Sequence, residues 1–162
     1  MAIDMFIKLE KIDGEAQDKA HKNEIDILAW SWGMSQSGTT HMGSGGGAGK
    51  VNVQDLSFTK YVDASSHAIQ LACYKGTHLA TADLVIRKAG DNPLEYIKIN
   101  MEDVLVTSVS MGGSGGEDRL TENITLNFSK VKYVYTMQAV KGGAEGGEKT
   151  AAWDIAENVP YG

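Results

Sequence analysis

The stretch IDILAWSWGMSQ, residues Ile25 to Gln36, alternates bulk with almost none. Leu28, Trp30, Trp32 and Met34 load one phase of the alternation, while Ala29, Ser31 and Gly33 leave the other nearly bare. Side chains on a strand point to opposite faces in turn, so the bulky phase predicts a core face. The bare phase is odd for a long strand in a monomer, whose solvent faces carry Lys, Glu and Thr. It suits a surface that another body approaches closely.

The same period of two recurs on both sides of this stretch. Ile3, Met5, Ile7 and Leu9 alternate with Asp4, Phe6, Lys8 and Glu10. Further runs are Ala82, Leu84 and Ile86; Ile97, Ile99 and Met101; Ile124, Leu126 and Phe128; and Ala151, Trp153 and Ile155. The chain is mainly β. Two runs change phase, at Glu102-Asp103 and after Phe128, where Val131, Tyr133 and Tyr135 take over. A bulge, or a bend from one sheet to another, is required there. Long bent strands predict a barrel or tightly curled sandwich rather than an open sheet, in a single domain, residues 1–162. One helix is expected over about 64–75, plugging one end of such a barrel or lying against its side, with capping residues from Asp63 and a stop at Lys75-Gly76. Its stripe is Ala68, Ile69, Leu71, Ala72 and Cys73.

The run GSGGGAGK, Gly43 to Lys50, raises the question of a phosphate loop. The pattern G-x-x-x-x-G-K-[ST] is met at Gly49 and Lys50 and fails at Ser44 and Val51. Gly43, Gly45 and Ala48 fit a dinucleotide fingerprint only in spacing. Both patterns need a following helix to supply an anion field, whereas Val51, Val53 and Phe58 read as strand. Residues 37–50 are therefore expected to be an extended loop. Gly112 to Gly116 and Gly142 to Gly147 are two more flexible, glycine-rich stretches.

With 15 basic and 21 acidic side chains, the net charge of −6 argues against a nucleic-acid partner. No segment approaches the ~18 to 20 apolar residues of a membrane span. The opening residues lack the basic and apolar regions of a cleaved signal peptide, so synthesis in the cytoplasm is expected. The single cysteine, Cys73, is expected to be a buried core thiol. The four histidines, His21, His41, His67 and His78, have no metal-ligand spacing. No nucleophile elbow or acid–base pair appears, so neither cofactor, metal nor catalysis is expected.

Three segments carry a resemblance: IDILAWSWGMSQSG (Ile25 to Gly38), GKVNVQDLSFTKYVD (Gly49 to Asp63) and SVSMGGSGGEDRLTENITLNF (Ser108 to Phe128). On these the chain resembles the Hcp family, the haemolysin-coregulated tube proteins of the bacterial type VI secretion system. The similarity runs from Met5 to about Tyr135 and returns at Trp153; Gln138 to Lys149 departs from it. The resemblance implies a small two-sheet β-barrel with one flanking α-helix, assembled as a homohexameric ring, with rings stacked into a tube inside a contractile sheath and capped by a spike protein. It also implies small effector proteins bound in the lumen, and export of the chain itself through the apparatus. Ser31, with Ala29 and Gly33, would then face the lumen and its cargo. Gly43, Ser44, Gly45, Gly49 and Lys50 would touch neighbouring subunits or rings. The alternatives are a phage-type tail tube subunit, a monomeric β-sandwich binding module using Trp30 or Trp32 as a platform, and a nucleotide-binding enzyme.

Overall fold

The computed structural model describes residues 3–38, 49–90, 93–138 and 144–162. Twelve strands and one helix follow in order: β1 (Ile3–Leu9), β2 (Ile25–Asp26), β3 (Ala29–Ser31), β4 (Met34–Ser35), β5 (Asn52–Val53), β6 (Leu56–Tyr61), α1 (Ser66–Lys75), β7 (Leu79–Lys88), β8 (Glu95–Gly112), β9 (Thr121–Asn127), β10 (Lys130–Gln138), β11 (Ala144–Asp154) and β12 (Val159–Pro160). Every ladder is antiparallel.

β8 organises the molecule. Its first half pairs with β7 and β10, and its second half with β9. The expected phase change falls at Asp103, which takes a left-handed backbone (φ 55°) and lies outside while Met101 and Val104 are both buried. A second slip follows between Val106 and Ser108. These irregularities turn one long strand from a large sheet, β12-β11-β10-β8-β7-β1-β2, into a smaller one, β3-β6-β9-β8. The phase change after Phe128 is the joint between β9 and β10, which pair with successive parts of β8. Among the described residues the ladders do not close into a barrel. The fold is mainly β, antiparallel, with one helix.

The core lies between the two sheets, with Ile7, Leu84 and Ile99 facing Leu56, Phe58, Ile124 and Leu126. The 25–36 stretch is not the single strand its alternation suggests. It breaks into β2, β3 and β4 because β2 pairs with β1 whereas β3 crosses to β6. The burial phase flips with it: Ile25 and Ile27 are buried, then Trp30 and Trp32 pack against the core. Leu28 and Met34, expected inside, are 42% and 53% exposed.

α1 begins at Ser66 and stops at Gly76, whose φ of 63° is the left-handed turn expected there. Asp63 Oδ1 accepts from both the N–H and the hydroxyl of Ser65, and Ser66 Oγ accepts from the Asp63 N–H, so the capping residues tie the entry turn together. Ile69 and Ala72 are buried, but Leu71 points outward and Cys73 is only half-buried, correcting the expected stripe and the buried thiol. The glycine-rich 142–147 stretch is also corrected in part, because β11 runs through Gly146 and Gly147.

Candidate functional site

The exposed face of the small sheet is the most unusual surface of the molecule. Alternation sends Leu56, Phe58, Ile124 and Leu126 into the core and Ser57, Thr59, Asn123 and Thr125 to the other side. Strand register then assembles two rows across four strands. One is Ala29, Thr59, Asn123 and Ser110; the other is Ser31, Ser57, Thr125 and Ser108. Neither row contains a charge or a large side chain. Its polar groups bond sideways: Thr59 Oγ1 donates to Asn123 Oδ1 (2.6 Å), and Ser108 Oγ and Thr125 Oγ1 are 2.7 Å apart. Asp55, at the margin, accepts from Thr107 Oγ1 (2.7 Å) and Asn127 Nδ2 (2.9 Å). The result is a smooth, hydroxyl-rich face whose two rows are neutral, with the Asp55 carboxylate meeting a hydroxyl, that of Thr107, at the margin. Such a face can contact a broad surface.

Ala29 and Ser31 therefore stand where their phase predicted, exposed on β3. Gly33 does not join them. It lies beyond the end of β3, half-buried, with its carbonyl accepting from the Gln54 N–H at 2.9 Å. Register supplied the other members of the rows, which sequence reading missed; the signal was the Ser/Thr/Asn phase of β6 and β9.

The expected contact loop is only partly visible. Gly43, Ser44 and Gly45 lie outside the described residues, as does His41. Gly49 and Lys50 lead directly into β5, so the segment after Lys50 is strand rather than the helix a phosphate loop requires. β4 and β5 form a two-stranded arm over the inner face of β10 and β11. Between them is an apolar cavity of about 640 Å³ lined by Trp32, Met34, Val53, Tyr133, Ala151 and Trp153, among others.

Two charged clusters also escaped the sequence reading. Lys60, in the apolar phase of β6, is buried with its Nζ 2.5 Å from Glu122 Oε1, 3.0 Å from Asp63 Oδ1 and 3.1 Å from Ser66 Oγ. It locks the start of α1 to β6 and β9. A lysine in phase with Leu56 and Phe58, beside a glutamate in phase with Ile124 and Leu126, was the legible sign. On the opposite side, Arg87 pairs with Asp18 and Asp4 and lies over the Phe6 ring, which stacks on His21 at 4.6 Å. His21 in turn meets Glu24 (3.0 Å) and Glu95 (2.6 Å). This cluster straps residues 10–24 over β1 and buries Phe6, whose phase alone pointed it to solvent. The Arg87 guanidinium holds the Asp18 carboxyl below its ordinary range, against a smaller opposing effect of burial. No group of residues among those described could hold a metal ion.

Residues 6–135 match the family model described as "Type VI secretion system effector, Hcp". The chain belongs to the Hcp family. It is 59% identical over 160 residues to the protein hcp1 of Pseudomonas aeruginosa strain PAO1, covering 98% of this chain and 99% of that one. The crystal structure of Hcp1 from Salmonella typhimurium superposes with a TM-score of 0.82 at 42% identity, covering 99% of this chain and all of that one. A further solved type six secretion system protein reaches a TM-score of 0.92 at 31% identity over 99% of this chain and 100% of its own. Hcp proteins are secreted components of the type VI system. Among the described residues of this Hcp chain, no helix is long and apolar enough to cross a membrane. The matched segment takes in the whole small sheet and its neutral rows, whereas β11 and β12 lie beyond it.

Proposed function

We propose that this chain is a structural tube subunit: six copies form a ring, rings stack into a tube, and the neutral rows line its lumen. The observation that carries this reading is the small sheet, which presents a bare polar face and has an unpaired strand at each edge. Among the described residues β3 pairs only with β6, and the second half of β8 only with β9. Unpaired edges are templates for another chain. Three antiparallel pairings leave β3 and β8 antiparallel to each other, so copies related by rotation continue the alternation across every junction. Such a heterologous contact closes when the rotation divides the circle. The curled pair of sheets then acts as the small barrel of each subunit.

In this reading Ser31 and Ala29 meet small effector proteins in the lumen, and the 37–50 loop, with Lys50, reaches neighbouring subunits or rings. Sheath and spike proteins enclose and cap the tube, and the chain leaves the cell through the apparatus without acting as an enzyme. A phage-type tail tube subunit would share the fold. The binding-module alternative is disfavoured because the indole N–H of Trp32 donates to the Gln54 carbonyl (2.9 Å) and its ring packs against Phe128. Light scattering on a sizing column, with electron microscopy of the peak, tests the proposal. Mass near six chains and hollow rings are expected; a monomer at every concentration would refute it.

A further inference from the structure

Two apolar surfaces remain uncovered in the single chain. One is the cavity beneath the β4–β5 arm. Its far wall continues the core face of the large sheet onto β10 and β11, through Val131, Tyr133, Ala151 and Trp153. The Trp153 indole N–H is buried and finds no acceptor among the described residues. The other surface is the outer side of α1, where Tyr74 is 78% and Leu71 46% exposed beside Met111 at 53%. Neither surface has a reason to stay bare in a soluble monomer.

Their positions are related. Both lie on the core side of the small sheet, opposite the neutral rows, and at opposite edges of it. Trp32 and Met34 prolong β3 into the cavity. α1 flanks the open half of β8, with Gln70 Nε2 3.6 Å from Met111 Sδ. It starts at the level of Lys60 and Glu122 and leads through Gly76 to Leu79, which pairs with Val104. The Tyr74 hydroxyl lies 3.5 Å from Gln70 Oε1, so its ring turns back along the helix toward Met111 and stays with Leu71 on the outer side of α1, beside the open edge of β8.

We infer that α1 of one copy packs, through Leu71 and Tyr74, into the cavity between the β4–β5 arm and β10–β11 of the next copy. The inference rests on the ring reading, since pairing the β8 edge of one copy with the β3 edge of another brings these two surfaces together. A knob and a hole at opposite edges make a head-to-tail contact, the kind a closed ring requires. The covering helix also removes the cavity and provides surroundings in which the Trp153 N–H can find an acceptor.

The test places the photo-crosslinker p-benzoylphenylalanine at position 74 of the full chain, with light scattering before irradiation and peptide mapping after it. Expected are rings of ordinary mass and adducts to Trp32–Met34, Val131–Tyr133 or Ala151–Trp153 of a second copy. In parallel, Leu71→Asp, at an exposed position that folding tolerates, is expected to raise the ring dissociation constant at least about tenfold. Rings whose adducts fall elsewhere, or that ignore Leu71→Asp, overturn the helix-in-cavity contact and leave the ring standing. If the unmodified chain is a monomer at every concentration, the ring reading fails and takes this contact with it.

Discussion

Lys60 and Glu122 stand directly opposite each other on β6 and β9, Nζ to Oε1 2.5 Å, with side-chain exposures of 0% and 1%. Each occupies a core-facing position that its neighbours in phase fill with aliphatic or aromatic groups. Burial strips both ions of water, and the pair survives because Asp63 and Ser66 supply further partners to the same ammonium. Removing one member should therefore cost far more than removing both.

Lys60→Met leaves two carboxylates without their cation and should destabilise the fold by about 3–5 kcal/mol. Lys60→Met combined with Glu122→Leu should recover most of that loss. Urea unfolding midpoints of the three proteins measure it. A single variant as stable as the parent would mean that the ion pair contributes nothing net.

The Arg87 clamp makes an acid-sensitive contribution. Asp18 is held ionised below the ordinary carboxylate range, chiefly by its hydrogen bond from Arg87. A carboxyl depressed in the folded state adds stability above its unfolded value and loses it as pH falls through its folded one. Melting temperature should thus fall on acidification below the ordinary carboxylate range. Asp18→Asn should lower it at neutral pH and flatten that part of the profile. Parallel profiles for the two proteins would exclude Asp18 as a source of the acid response.

Gly14 closes the strap that covers Phe6. A Cβ there would lie 2.5 Å from the Glu24 carbonyl oxygen and 2.8 Å from Ile25 Cγ1, while the Gly14 N–H bonds the Asn23 carbonyl at 2.8 Å. Backbone cannot retreat as a side-chain tip can, so Gly14→Ala should cost about 1–3 kcal/mol. The damage should be local, seen as faster amide exchange over residues 14–24 before any change in β6 or β9. Unchanged exchange in the strap would show that the site relaxes freely.

Ser31→Gln places a longer amide on the neutral row beside Ser57. Ring mass should not change, and retention of an effector protein in a pull-down should drop severalfold. Retention at the parental level with intact rings would remove Ser31 from the cargo surface.

What the sequence by itself determined is what local covalent geometry determines. Alternation of side chains is a property of an extended backbone, so the phases of β1, β7, β9 and β10, the stop of α1 at Gly76, and the break at Asp103 were legible without any partner. The family was legible because three long segments carry it. Tertiary structure alone decided everything that depends on which strand lies beside which. Ser31 and Ser108 are 77 positions apart (108 less 31), and only the ladders β3-β6-β9-β8 bring them into one row. Likewise, the flip between Ile27 and Trp30 follows from a chain that leaves β1 for β6, and the burial of Phe6 follows from a strap anchored by Arg87 and His21. Long-range pairing sets register, and register, not periodicity, turned scattered serines and threonines into a surface.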